Sequence, residues 1–420
     1  MTTRTAEHLD TPSWPLWQRV AFRLVFAYTA LFIVTDDMAR LPGLSWLGYA
    51  ARAWALVISW LDRTFLHFGC VVPPLGGSRD DMRYSYLVVA LHAVLAITAA
   101  AAWSWVGRRH LHYRGLHAAL RVAVRYVLGF SLLGYGLVKV IPSQFASPSP
   151  HDLITPLGEL RPKDLMWVFM GASRPYGIFA GAAEVIGAAL LLSRRTTTLG
   201  ALVLAAVMSN VVAMDLSYDV PVKHLSIHLL VLSMVLVAPD AGRLVDVLVR
   251  QRPVDAPSFP PYFAGTRTAR VFRWGKVLLV GYGAIVTLQL ALGAYAHHGD
   301  SAPLPPLAGL YRVDSFVVKT GEQPLPFPGM ESWRTLVLNR YGRLVARTCD
   351  AAEPRVIRFR VDEVARTITF VSPGSAPQAA SYTTTPERLT IESDAFRMEL
   401  RAVDPKSFAL VSHRFRWTTD

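Results

Sequence analysis

The sequence predicts a polytopic all-α membrane bundle of about seven transmembrane helices followed by an extracytoplasmic all-β domain, a barrel or a sandwich. Three observations carry that reading. Of 420 residues, 52% are hydrophobic and only 17% charged, and the apolar residues come in long blocks. Arginines gather at the ends of those blocks rather than on one amphipathic face, which topology explains better than a polyanion does. After Pro303, Pro305 and Pro306 the blocks give way to short runs of alternating apolar and polar residues separated by turn residues.

Several function classes drop out on the same grounds. The net charge of +13 reflects loop arginines, so no nucleic-acid partner is expected. The two cysteines, Cys70 and Cys349, have no CxxC, CxxCH or zinc-type spacing, which argues against a thioredoxin-like, haem or zinc site. No GxxxxGK[ST], and no GxGxxG followed by a suitable acid, marks a nucleotide site.

The amino-terminal part, residues 1–117, holds the first spans. Val20 to Val34 contains Arg23 but meets no small-residue cleavage site before Asp36 and Asp37, so it predicts a transmembrane helix rather than a signal peptide. From Leu44 to Phe68, Trp54, Val57, Ile58, Leu61, Phe65 and Phe68 share one helical face opposite Arg52, Ser59 and Arg63. That amphipathicity fits a helix in the membrane interface or one packed on the bundle. Tyr84 to Val106 is long enough for a hydrocarbon core of about 30 Å at ~1.5 Å per residue. The loop after it, with Arg108, Arg109, Arg114, Arg121, Arg125 and His110, His112, His117, reads as cytoplasmic and near anionic lipid; no carboxylate or cysteine accompanies the histidines, and no metal site is expected.

Orientation then propagates through residues 118–250, a four-helix core. Val122 to Ile141 runs outward, Tyr176 to Leu192 inward to Arg194 and Arg195, Leu199 to Met214 outward, and Pro221 to Ala238 back in. Residues 251–273 form a basic cytoplasmic linker kept irregular by Pro253, Pro257, Pro260 and Pro261, and residues 274–298 the last span. The amino terminus is then inside and the β-domain, residues 299–420, outside.

Eight strands are predicted there: Leu310 to Val318, Trp333 to Leu338, Arg343 to Thr348, Val356 to Val361, Thr367 to Val371, Leu389 to Glu392, Phe396 to Arg401 and Phe408 to Trp417. Along the last, Ser412, Arg414 and Arg416 would share a face, either solvated or an anion pocket. Cys70 and Cys349 fall on the same oxidising side, where a disulfide between them is expected.

Ionisable residues inside spans are costly and mark candidate function. Tyr135 and Lys139, spaced i, i+4, stack on one face of the third span; Glu184 sits midway along the fourth. Glu184 is expected to be neutral, hydrogen-bonded, or paired with Lys139 or His228. Asn210, Asp215, Tyr218, Asp219, Lys223, Ser226 and His228 concentrate around the next turn and are expected in the outer half of one bundle interior. They form either a packing network or a ligand site. The outer segment 142–175 contains a short helix bracketed by Pro162 and Gly171, with Leu165, Met166, Trp167, Phe169 and Met170; so apolar a segment should re-enter the bundle or cover it as a lid.

Tyr135-Gly-Leu-Val-Lys139-Val-Ile-Pro142-Ser-Gln-Phe145, the stretch Phe169 to Ser173, Glu184 in a Gly/Ala-rich span followed by Arg194-Arg195-Thr196-Thr197, and Asn210 with Tyr218-Asp-Val-Pro221-Val-Lys223 resemble the DoxX/DoxD-like family of bacterial membrane proteins, over about residues 125–240. The resemblance implies a bacterial inner-membrane protein, for which the outer side that topology assigns to the β-domain is periplasmic or extracellular. It also implies proximity to a quinone, since a member of that family is a membrane subunit associated with quinone-linked sulfur oxidation. Ordinary members are small four-helix proteins; the additional spans and the β-domain depart from that pattern. The positions carried over are Tyr135, Lys139, Glu184, Asn210, Asp219, Lys223 and His228.

On one reading, then, Lys139 and His228 donate to a quinone carbonyl, Glu184 accepts a proton, Tyr135 or Trp167 stacks, and a redox partner delivers electrons. On another, the bundle is an anchor and the β-domain binds membrane lipid, an envelope ligand or a protein partner. A proton-coupled transporter ranks third, because no internal repeat is visible.

Overall fold

A computed structural model describes residues 14–34, 48–70, 72, 81–108, 110, 112–255, 266–319, 325–348, 354–371 and 377–412. The chain divides into two compact units, one of Met1–Ile141 with Ile178–Leu292 and one of Pro142–Gly177 with Gly293–Asp420.

Each apolar block is a helix: α1 (Leu16–Phe32), α2 (Gly48–Leu61), α3 (Arg83–Val106), α4 (Arg114–Val140), α5 (Pro150–Ile154), α6 (Pro162–Ala172), α7 (Arg174–Leu191), α8 (Thr197–Ser217), α9 (Lys223–Val237), α10 (Ala241–Leu248) and α11 (Thr266–His298). Among the described residues, five stretches are long and apolar enough to cross a membrane: α3, α4, α8, Lys223–Leu248 and Arg267–His298. Of the other two expected spans, α1 has 17 residues and α7 has 18.

In the helical unit α8 packs on α9, α1 on α3, and α4 on α9 and α1. The buried face of α4 includes Leu120, Val124, Leu128 and Leu132, at the i, i+4 spacing that stacks side chains on one side of a helix. Arg23, an anomaly within an apolar helix, is 2% exposed. Its guanidinium donates to Ser104 Oγ at 2.8 Å, Gly107 O at 3.1 Å and Tyr113 Oη at 2.7 Å, which is what makes a buried cation tolerable. The α2 segment contacts α3 and buries Ile58 at 1% exposure, while Leu56, Trp60 and Phe65 stay exposed. It closes in a π-helical turn, Asp62–Leu66, whose Asp62 carboxylate accepts from the backbone N–H groups of Phe68 and Cys70.

The second unit is built on a closed barrel of eight antiparallel strands in sequence order: β1 (Gly309–Val318), β2 (Trp333–Leu338), β3 (Arg343–Thr348), β4 (Arg355–Asp362), β5 (Thr367–Val371), β6 (Gln378–Thr384), β7 (Arg388–Glu392) and β8 (Phe396–Val403). Pairing of β1 with β8 closes it, which removes the exposed edges of an open sheet. Seven strands fall where alternation places them. The sixth, Gln-Ala-Ala-Ser-Tyr-Thr-Thr, buries only Ala380 and Tyr382 and carries little apolar signal.

The expected strand Phe408 to Trp417 is corrected in its described part. A 3-10 turn (Pro405–Ser407) started by Asp404, whose carboxylate accepts from Lys406 N, leads into the short helix α12 (Ala409–Ser412). With β1 and β8 already paired, no edge remains for a ninth strand. Arg414 and Arg416 lie outside the described residues, as does Cys349, and with it the expected Cys70–Cys349 disulfide.

Trp333, Leu336, Leu344, Phe359, Ile368, Leu389, Phe396 and Met398 fill the barrel. A half-open pocket of about 250 Å³ lies beside Pro326, Phe370, Ala380 and Phe396. On the outside, Leu310, Val337 and Val345 are buried beneath Ile154 of α5 and Phe408. The outer segment 142–175, expected with the helical core, falls within the stretch Pro142–Gly177 that groups with the barrel. Arg347 pairs with Glu159 at 2.6 Å, and Asp300 accepts from Ser147 N and Oγ and pairs with Arg174. Within it, α6 has Pro162 at its first turn, as expected for a residue without an N–H.

Candidate functional site

The polar groups of the helical unit form two clusters. The deeper one is centred on Lys139, in the last turn of α4, and Glu184, in the middle of α7. Their helices approach closely because both carry glycine at the crossing. A Cβ on Gly181 would lie 2.7 Å from that of Lys139 and 2.6 Å from Gly136 O. Small residues of this kind let membrane helices pack backbone to backbone. The approach delivers Lys139 Nζ to Glu184 Oε1 as an ion pair, with the side chains 10% and 2% exposed.

Glu184 Oε2 is buried and has no hydrogen-bond partner among the described residues. Asp215 on α8, 4% exposed, has a buried Oδ2 in the same condition. Its carboxylate interacts with the Ser226 side chain and feels the charges of Lys139, Asp81 and Lys223. The Lys139 ammonium is paired with one buried carboxylate, Glu184, and both Glu184 and Asp215 keep an oxygen with acceptor capacity. A ligand donor or a mobile proton suits that arrangement.

The second cluster lies at the α8–α9 turn. Asp81, just before α3, accepts hydrogen bonds from Lys223 N at 2.9 Å and His224 N at 3.1 Å and meets His224 Nδ1 at 2.7 Å. Lys223 Nζ is 3.6 Å from Asp81 and 2.7 Å from Asp219. Asp81 therefore caps α9 from across the chain, where the residue preceding that helix, Val222, has no capping side chain. Burial pushes the Asp81 carboxyl up, but the hydrogen bonds from His224 and Lys223 outweigh it and hold the group below its ordinary value. Asp81 is absent from the residues singled out by sequence; the available signal was a helix starting at Lys223 with no cap of its own.

His228 has both ring nitrogens engaged, Nε2 with Tyr28 Oη at 2.6 Å and Nδ1 with His224 O at 2.5 Å. Its ring stacks on Phe32 at 4.4 Å. Of the partners expected for Glu184, the structure selects Lys139 and directs His228 toward α1. Tyr135 is half-buried against the helical core.

Four other candidates lie elsewhere. Asn210 is exposed on α8, whose buried face runs through Leu204, Met208 and Asp215; two residues beyond Met208 is about 200° around the helix, at roughly 3.6 residues per turn. Tyr218 is 37% exposed, and the Asp219 side chain, 83% exposed, pairs with Lys223 at the surface. Trp167 belongs to the barrel unit, where it packs edge-on against Phe145 and beneath Lys163 Nζ. Among the described residues no three His, Cys, Asp or Glu side chains gather as metal ligands.

Comparison with known proteins finds 30% identity over 143 residues to "Uncharacterized protein YwoB" of Bacillus subtilis (strain 168), a match that spans 34% of this chain and 90% of that protein. No family model matches the chain, and no solved structure matches it.

Proposed function

The chain belongs to the family of Bacillus subtilis YwoB, and from that premise we propose a DoxX-like, quinone-associated membrane subunit whose ligand meets the Lys139–Glu184 cluster. The observation that carries the reading is the orphaned Glu184 Oε2 beside the Lys139 ammonium. Lys139 offers a cationic donor to a carbonyl oxygen, and Glu184 and Asp215 offer carboxylate oxygens able to take a proton. A bound quinone supplies two-electron, two-proton chemistry. With no CxxC or CxxCH motif in the sequence, electrons come from a redox partner protein.

In this reading α1 and α7 complete seven spans, the arginine-rich loops are cytoplasmic, and the barrel is periplasmic or extracellular. A charge bias in short loops supports that orientation. The test is titration of the full chain, in nanodiscs, with a short-chain ubiquinone analogue followed by tryptophan fluorescence. Saturable binding weakened about tenfold or more by Glu184→Gln and Lys139→Met is expected. Absence of saturable binding to the unsubstituted protein overturns the reading.

The alternative, a non-enzymatic binding protein acting through its barrel, draws support from a filled interior. Buried side chains pack the inside of the barrel, and the half-open pocket of about 250 Å³ beside Phe370 and Phe396 falls below the roughly 300–1,000 Å³ of small-molecule pockets, which directs recognition to the barrel's outer surface. Under this alternative Glu184→Gln and Lys139→Met spare the cellular role.

A further inference from the structure

We propose that the outer surface of the barrel at β3, β4 and β5 holds a binding site for phosphate esters, built from Arg343, Arg358 and Arg360. The inference stands apart from the quinone reading, since it uses no residue of the helical unit.

These three arginines line one concavity of about 720 Å³. Arg343 and Arg358 are paired directly across β3 and β4, which puts their Cβ atoms about 4.5–5.5 Å apart. Arg360 follows Arg358 by two residues on the same face of β4. Like charges placed directly opposite each other destabilise a sheet.

Several other cations of the barrel are neutralised by an acid. Arg397 meets Glu399 at 3.0 Å, Arg401 meets Asp314 at 3.1 Å, Lys319 meets Glu392 at 2.8 Å and Arg347 meets Glu159 at 2.6 Å. Arg343, Arg358 and Arg360 make no ion pair with any described residue. A triad of guanidiniums without an acid is the arrangement an external anion completes.

The geometry favours phosphate among anions. A guanidinium presents a planar fork that matches phosphate oxygens two at a time. Three forks exceed what the two oxygens of one carboxylate can accept, whereas a phosphate monoester offers three free oxygens and a charge near −2. The concavity is larger than one phosphate group, and Tyr341, 70% exposed, and Val371 supply less polar wall for the remainder of an ester. The site stands on strands paired on both sides, so its arginines are pre-positioned. Both a phospholipid that ends in a phosphate monoester and a soluble phosphate monoester carry this chemistry.

The experiment uses the full chain in phosphatidylcholine nanodiscs at about 0.15 M salt, where exposed charges are screened beyond ~8 Å. One arm titrates glycerol 3-phosphate, a soluble phosphate monoester, by calorimetry. The other measures co-flotation with vesicles of equimolar phosphatidylcholine and phosphatidic acid against vesicles of phosphatidylcholine alone. Binding in the first arm assigns soluble esters, binding in the second assigns a lipid headgroup, and either supports the site.

Arg343→Gln and Arg358→Gln should each weaken binding about tenfold, with Lys at the same positions restoring little because it lacks the fork. Arg388→Gln, an exposed arginine on β7, should leave it unchanged. No binding in either arm, or an equal loss with Arg388→Gln, overturns the proposal. Unchanged thermal transitions of the variants separate loss of the site from loss of the fold.

Discussion

Gly136 on α4 and Gly181 on α7 face each other so closely that a Cβ on Gly136 would lie 2.7 Å from Gly181 O, and a Cβ on Gly181 would lie 2.6 Å from Gly136 O. The obstacle on each side is backbone, which cannot rotate away as a side chain would. Gly181→Val should therefore force α4 and α7 apart and cost about 1–3 kcal/mol by overpacking. Thermal unfolding of the detergent-solubilised protein measures the loss; an unchanged transition would mean that the helices do not cross there.

Lys139→Met leaves Glu184 buried without its cation. Breaking a buried pair from one side costs about 3–5 kcal/mol, whereas removing both charges costs far less. The double substitution Lys139→Met with Glu184→Gln should recover much of the stability lost in the single variant. Additive losses in a double-mutant cycle would show the two residues to be uncoupled.

Asp81→Asn should remove the trans cap of α9 and destabilise the chain by about 0.5–2 kcal/mol at neutral pH. The sign of the pH dependence follows from a carboxyl held below its ordinary value of 3.8 in the folded chain. Its contribution is complete above that ordinary value and is lost as the pH falls through the lower folded-state value. The stability gap between the unsubstituted chain and the Asp81→Asn variant should thus be constant from pH 7 down to about pH 5 and close only below 3.8. A gap that closes on raising the pH instead would contradict the hydrogen-bonding scheme.

Asn210→Leu should leave both folding and quinone-analogue binding intact, since Asn210 is exposed on the side of α8 away from Asp215. Loss of binding comparable to that of Glu184→Gln would return Asn210 to the site.

Leu336 is fully buried in the barrel. Leu336→Ala should cost about 2–5 kcal/mol through lost burial and the void left behind. Differential hydrogen exchange should locate the loss in the barrel strands. Unchanged protection there would show an interior loose enough to collapse.

The positions of the helices were legible because hydropathy and length report membrane-scale burial residue by residue, and the strands because alternation reports a two-sided surface. Where that signal thins, as in Gln378–Thr384 with only Ala380 and Tyr382 turned inward, a strand went unread. Where alternation continues without a free edge to join, as after Asp404, a strand was expected and a short helix formed. For Glu184 the sequence leaves open a neutral group, a hydrogen-bonded one, or pairing with Lys139 or His228, and it assigns Asn210 to the bundle interior although only packing sets the rotation of its helix.

By itself, then, the amino-acid order determined which segments are helices and strands and which ionisable groups sit in apolar surroundings, because those are local properties of period and composition. Tertiary structure decided which groups meet. Lys139 and Glu184 are 45 residues apart and Asp81 and Lys223 are 142, and no periodicity within either segment encodes the close glycine crossing or the turn that joins them. Spacing along a helix specifies a face; only the neighbouring helix specifies what that face touches.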